Sequence, residues 1–478
     1  MSTTDTPTDT GADERTDDGV VETVRRRAHK AGSKVFPGHG SFLLGEIAMF
    51  AFMVLVATGI YLAFAYEASN ETVEYRGSYE PMVGVDVSRS YASVMDITFD
   101  RPGGWVIRQT HHWAAVVFIA TLTLHAARVF FTGAFRRPRR LNWTIGVTLL
   151  ALALGAGYLG LTLPHDLLGG TGARIGHAEL LSVPVIGPGL VDLLFAGEFG
   201  NPDMLHRLWL LHVIVVPLLI GAMLAAHLSL VWRQTHTQFP ATGDRDRHHG
   251  HDRDRDREHE HEHDDAAQAE GRSRDEQVTG NRVWPLHALK SSGAAFITFG
   301  TLLMMGAVFE IAPIWLYGPF DAAASTVPAQ PDWYLGWVEG ALRLVPSTGF
   351  VLFGRWEIPN AFFVGVLLPA SAFVVLYATP WLEARFTGDR DAHHVLERPR
   401  DRPIRTALGI TGLTVLLVLT VAGSHDLAAL LARVPVERVT ALYRWLLVLA
   451  PPLAGWLAYS VCRSLTADEH TDRSGEQR

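Results

Sequence analysis

Eight stretches of about 20 residues, each nearly free of charge, dominate this chain, and each is long enough for a helix to cross a hydrocarbon layer about 30 Å thick. They fall at about 43–66, 108–132, 144–164, 206–232, 289–312, 359–381, 405–424 and 440–463. The overall 48% hydrophobic content hides this division, because both ends and one internal block are strongly polar. The expected fold class is an all-α membrane protein of about eight transmembrane helices. The net charge of −8 comes largely from the polar tails and points to no partner. The arginine clusters sit beside apolar stretches, where topology accounts for them, so a nucleic-acid role is not indicated.

Basic residues set the expected direction of the chain. RRRAHKAGSK (25–34) precedes the first stretch, FRRPRR (135–140) joins the second to the third, and RPRDRPIR (398–405) leads into the seventh. All three lie on one side if the N-terminus is cytoplasmic, as expected for a multi-pass protein of the plasma membrane. The connections after stretches one, three, five and seven then face outward. MSTTDTPTDTGADERTDDG is acidic and has no apolar signal region, so 1–35 reads as a disordered cytoplasmic tail. The expected organisation continues with a four-helix bundle over 36–240 and a charged, His-rich cytoplasmic linker over 241–282. A second four-helix domain with an outer loop follows over 283–465, and a polar tail over 466–478. DRDRHHGHDRDRDREHEHEHDD within the linker could bind metal, but alternating charge with nothing to bury reads first as a solvated, disordered segment. The single cysteine, Cys462, allows neither an intrachain disulfide nor a CxxC metal site. CxxCH is also absent, so any haem would be held without thioether bonds.

The second stretch carries His111 and His125, 14 residues apart. At 100° per residue they miss four full turns by about 40°, which puts both on one face about 21 Å apart in depth. The fourth stretch repeats the pattern with His212 and His227, 15 apart, offset by about 60° and about 22 Å in depth. Both helices run in the same direction, so His111 can face His212 near the outer surface and His125 can face His227 near the inner one. An isolated intramembrane histidine is more often hydrogen-bonded to a neighbouring helix; four at paired depths instead describe two bis-imidazole sites, the axial ligand set of haem iron. Arg108 and Arg128 each stand three residues from a histidine and can pair with haem propionates. Gly45 and Gly59, and Gly146 and Gly160, repeat the 14-residue interval on stretches one and three. They leave room for a flat cofactor, or for close helix packing. His112 points about 100° from His111 and reads as structural.

These residues resemble cytochrome b of the respiratory cytochrome bc complexes, and in particular the actinobacterial, menaquinol-oxidising form. The likeness covers roughly Phe36 to Leu465 apart from the charged insert. The 14- and 15-residue histidine intervals match bacterial and plastoquinol-oxidising relatives. LNWTIG (141–146) resembles the segment in which Trp143 would help seat an inner-haem propionate. QPDWYLGW (330–337) resembles the family's quinol-site motif, usually Pro-Glu-Trp-Tyr, with Asp332 as the acid here. ARFTGDRDAHHVLERPRDRPIRTALG (384–409) is similar to the actinobacterial C-terminal region. The resemblance implies two non-covalent haem b groups and a quinol oxidised at an outer site. One electron would go to a Rieske iron–sulfur partner, and the other would pass through the haems to a quinone at an inner site. A cytochrome c subunit, a homodimer and a supercomplex with a haem–copper oxidase are also implied. Asp332 is the expected proton acceptor, with Pro331 fixing the loop and Tyr334 hydrogen-bonding. At the inner site the mitochondrial His and Asp are replaced, by position, with Trp232 and Ser291, and Lys290 is kept; His236 and Arg233 are the expected substitutes.

Two other readings stay open on the sequence. A metal transporter would explain a His-rich loop but needs ligands clustered at the midplane; bound haem separates the two. Another di-haem membrane anchor, of a quinone-linked dehydrogenase, would lack the PDWY loop, and an Asp332 substitution that stops quinol oxidation while leaving both haems would separate it.

Overall fold

The computed structural model describes residue 22 and residues 32–234, 236–239, 280–324, 330–346, 349–354 and 356–476. The acidic tail over 1–31, apart from residue 22, and the His-rich block at 240–279, both expected to be disordered, lie outside the described residues. Among the described residues eight helices are long and apolar enough to cross a membrane: Gly40–Ala65, Gly104–Phe131, Arg140–Thr162, Met204–Gln234, Val283–Val308, Phe362–Thr387, Pro403–Ala422 and Val436–Ala467. They are called spans one to eight below.

The largest departures from the expected boundaries occur at prolines and helix ends. Span five begins in a π-helical turn at Val283–His287 that takes in Pro285, and it ends at Val308 because the chain is extended from Phe309. Span six continues past Pro380 to Thr387, where Gly388 in the left-handed conformation stops it. The last helix runs on through the polar sequence to Glu476, with Pro451 and Pro452 inside it.

Span one packs along span two, and span three along span four; span five lies against spans one and two, span six against span three, and span seven against span eight. Spans two and four are not closely packed on each other and face across a cavity. One end of the bundle is tied together by short contacts between distant segments. Val35–Pro37 pairs antiparallel with Gly280–Arg282, and Gln238 bridges Val395. Glu397, in the connection from span six to span seven, accepts from Arg136 at 2.8 Å and Arg402 at 2.7 Å, and also from Arg405. Burial pushes the Glu397 carboxyl up, but Arg405 and Arg136 outweigh it and hold it below the usual carboxylate range. The connections expected on the inner side therefore do share one end. The opposite end carries short helices, Arg89–Phe99, Leu167–Leu181, Gly187–Phe195 and Gly336–Leu344, and two small hairpins.

Candidate haem and quinone sites

His111 faces His212 with ring centroids 6.2 Å apart and planes at 74°; His125 faces His227 at 6.4 Å and 75°. A metal–imidazole bond of about 2.0 Å, as at zinc, plus the ring radius at each end, places two axial imidazoles about 6.3 Å apart centre to centre. Both pairs meet that requirement. At the outer pair the tautomers follow from the hydrogen bonds. Thr58 gives its one hydroxyl hydrogen to the Val54 carbonyl at 2.6 Å, so its oxygen accepts from His111 Nδ1 at 2.9 Å. His212 Nδ1 donates to the Ala156 carbonyl at 3.0 Å. Both Nε2 atoms are thus left unprotonated, the form that binds a metal.

The 15-residue interval on span four is accommodated by a π-helical turn, Leu211–Val215, which contains His212. One residue more per turn there absorbs the extra position, so the 60° offset expected of a regular helix does not separate the two imidazoles from their partners. A π turn inside a helix is costly and often marks a functional site.

The four glycines lie where the interval put them, but behind the imidazoles. A Cβ on Gly45 would sit 3.2 Å from His125 Cε1, on Gly59 3.3 Å from His111 Cε1, and on Gly160 2.8 Å from His212 Cε1. At Gly146 it would meet His227 only at 3.6 Å, an ordinary contact. The small residues make room for ligand rings, not directly for a macrocycle. Gly160→Ala is accordingly expected to lower haem content at the outer pair, while Gly146→Ala retains full haem content. Haem assay of the two purified variants measures this.

The arginines fit propionates. Arg108 is buried; its Nη1 reaches the Ala312 carbonyl at 3.3 Å, and its Nε and Nη2 have no partner. Arg128 lies over the Phe42 ring at 3.9 Å with Nε and Nη2 likewise unpaired. Buried guanidinium donors left without partners are expensive, and an anionic group beside each histidine pair would satisfy them. Trp143 departs from its expected part: its indole N–H donates to the Leu376 carbonyl of span six at 2.7 Å, so that donor is not available to a propionate, although the side chain lines the inner cavity.

The PDWY loop reaches into the bundle beside the outer pair, where Asp332 meets His112, the residue after His111. Asp332 accepts from His112 Nε2 at 2.9 Å and from the Tyr334 hydroxyl at 2.8 Å. Tyr334 is 3% exposed, with its ring against Gly157 of span three, where a Cβ would come within 2.7 Å. His112, expected to be structural, is instead the carboxylate's partner. The 100° turn away from His111 points it at a loop 220 residues on, a pairing no local pattern reveals. Burial pushes the Asp332 carboxyl up, but the bonds from His112 and Tyr334 bring it below the usual range. Tyr334, buried and beside that carboxylate, is raised well above the ordinary tyrosine value. Pro331 precedes this constellation directly.

At the other end a cavity of about 270 Å³ extends from the His125/His227 pair to the ends of spans one, four and five. His236 lines it, as do Glu46 and His287, which sequence reasoning missed. Arg233, Lys290 and Ser291 are not on its wall. Arg233 is exposed, and the Lys290 ammonium donates to the Gly38 carbonyl at 2.7 Å. The π-helical turn that opens span five carries its last residue, His287, to the cavity instead.

Two imidazole pairs held between membrane-length helices have the geometry of haem-ligating sites. A family model described as Cytochrome b(N-terminal)/b6/petB matches residues 116–319. Cytochrome bc1 complex cytochrome b subunits from three organisms are similar over most of the chain. The one from Mycobacterium tuberculosis is 41% identical over 92% of this chain and 74% of its own length. That of Corynebacterium efficiens is 39% identical over 91% and 74%, and that of Streptomyces coelicolor 37% over 90% and 74%. A solved structure titled "Hyperthermophilic respiratory Complex III" superposes with a TM-score of 0.62 at 18% identity, covering 94% of this chain and 99% of its own, which shows the shared fold. The chain belongs to the family of cytochrome b subunits of the bc1 complex. It is a multi-pass membrane protein, a haem b protein by family, and the membrane subunit of a multi-subunit quinol–cytochrome c oxidoreductase.

Proposed function

We propose that this subunit binds two non-covalent haem b groups, one between His111 and His212 and one between His125 and His227, with Arg108 and Arg128 holding propionates. When bound, the haems supply a one-electron path between the two ends of the bundle. The substrate at the outer end is a quinol, and the actinobacterial likeness makes it menaquinol. Asp332, ionised at neutral pH, accepts a hydroxyl proton from it; His112 and Tyr334 hold the carboxylate in place, and Pro331 fixes the loop. Gly157 leaves the space Tyr334 needs. A quinone is reduced at the inner end, in the outermost part of the inner cavity beyond the His125/His227 pair, where His236 stands at the ends of spans one, four and five.

The N-terminus lies in the cytoplasm, so that protons leave outside and enter from within, across the plasma membrane. The chain holds no cysteine ligand set for an iron–sulfur cluster and no CxxCH. A Rieske iron–sulfur subunit and a cytochrome c subunit therefore carry the second electron, in a homodimer that also associates with a haem–copper oxidase.

The observation that carries this reading is the pair of His–His separations, both at the distance two axial ligands require. Haem extraction and redox titration of the purified subunit test it. The expected result is two acid-extractable haems per chain, titrating at two potentials. A single haem would overturn the two-site reading, and none would take the histidine pairs out of haem binding altogether.

A further inference from the structure

We propose that Glu46 and His287 are the proton-donating pair of the inner quinone site. This rests on the reading of that cavity as a quinone site. Glu46 lies near the start of span one, directly after Gly45, whose bare Cα faces the His125 ring. Its Oε1 lies 3.4 Å from His287 Nε2 at the opening turn of span five. Its Oε2 is buried and has no partner. The two side chains are 21% and 16% exposed, and both line the cavity that reaches the His125/His227 pair.

A carboxyl in a membrane-embedded cavity with one oxygen unused is expensive unless a ligand or a proton occupies it. A haem propionate is excluded as that ligand by charge, and the unpaired donors of Arg128 offer it a better place. A cation is not favoured either: among the described residues no group of three or more His, Cys, Asp or Glu is arranged to hold a metal. A quinone fits. Its reduction converts two carbonyl oxygens to hydroxyls, taking up two electrons and two protons. The two electrons arrive one from each of two quinols oxidised at the opposite end, the other electron of each having left through the iron–sulfur partner. Glu46 and His287 supply one proton to the carbonyl oxygen that faces them and are reprotonated from the cytoplasmic end; the second proton reaches the other carbonyl oxygen from water at that end.

The surrounding groups divide the work further. Phe36 stacks on His287 at 4.3 Å and also meets His236 at 4.0 Å, so the two histidines stand on one wall. Burial, with Arg139, His287, Lys34 and Arg128 nearby, lowers His236 to about 4. It is neutral at neutral pH and can donate a hydrogen bond without carrying the proton that is transferred. The cations around the cavity are otherwise committed: Lys34 to the Trp232 carbonyl at 2.7 Å, Lys290 to that of Gly38, and Arg139 to that of His393 at 2.7 Å.

The experiment uses the whole purified complex carrying Asp332→Asn, which slows the outer route about 10²-fold or more. Its haems are reduced with dithionite, the excess is removed by anaerobic gel filtration, and a short-chain naphthoquinone is then added in a stopped-flow spectrometer. Haem content is assayed alongside. Glu46→Gln is expected to slow haem reoxidation about 10²-fold, the usual scale for loss of a general acid, and to flatten its pH dependence. Glu46→Asp should recover most of the rate, and His287→Gln provides a second test should Glu46→Gln lose haem. Reoxidation at the parental rate and pH dependence in both Gln variants would overturn the assignment. Failure of naphthoquinone to reoxidise the parental complex would instead overturn the quinone-site reading on which it stands.

Discussion

His125→Ala is expected to remove one haem and leave the other, and His111→Ala to do the same at the opposite end. The two pairs sit about 21 Å apart in depth, given by 14 residues at 1.5 Å each, and share no hydrogen-bond partner. His111 is anchored by Thr58, and His212 by the Ala156 carbonyl. Loss of one imidazole would leave a haem bound there with one protein ligand, and it opens a space where the ring had packed against glycine. The effects should differ in sharpness. At the outer pair Gly160 and Gly59 hold both rings closely, so little movement can compensate, whereas Gly146 leaves looser contact behind His227. Reduced-minus-oxidised spectra of each variant beside wild type should show half the haem, with the lost component at a different potential in each. Loss of both haems from one substitution would mean that the pairs form a single cooperative unit.

Much of this architecture was legible because its signals are local. Twenty apolar residues announce a span by length alone, and a 14-residue interval fixes depth and face within one helix. The same logic put the glycines at the right levels, although not their contact: a spacing says that a residue lies at a given depth but not which atoms meet it. The π turn at Leu211–Val215 was hidden, since 15 residues also suit a regular helix at a poorer angle. What the sequence could not carry are contacts between distant segments. His112 meets Asp332 across 220 residues, and Trp143 gives its N–H to Leu376 across 233. Glu46 and His287 carry no motif at all. Their closeness depends on how spans one and five cross and on a π-helical turn at a Trp-Pro sequence that looks like a helix breaker.

Asp332→Asn is expected to reduce quinol oxidation by about 10²-fold or more, the range associated with removing a general base, while both haem spectra stay at wild-type amplitude. Asparagine keeps the size of the side chain and can still accept from His112 and Tyr334, so folding of the loop is not at issue; what is lost is the capacity to take a proton. The pH dependence follows from the direction of the shift. With its folded value held below the usual carboxylate range, Asp332 is ionised at neutral pH. The accepting form, and the stability its two hydrogen bonds contribute, are present above the unfolded value and are lost as pH falls through the folded one. Tyr334→Phe removes one of the two donors that oppose burial, so the Asp332 value should rise and the acid limb of the rate profile should move to higher pH. Steady-state quinol oxidation by the intact complex, followed from neutral pH down through the usual carboxylate range, wild type beside Tyr334→Phe, reads that movement directly. An acid limb that stays in place would show that another group accepts the proton and that Asp332 acts only by holding His112.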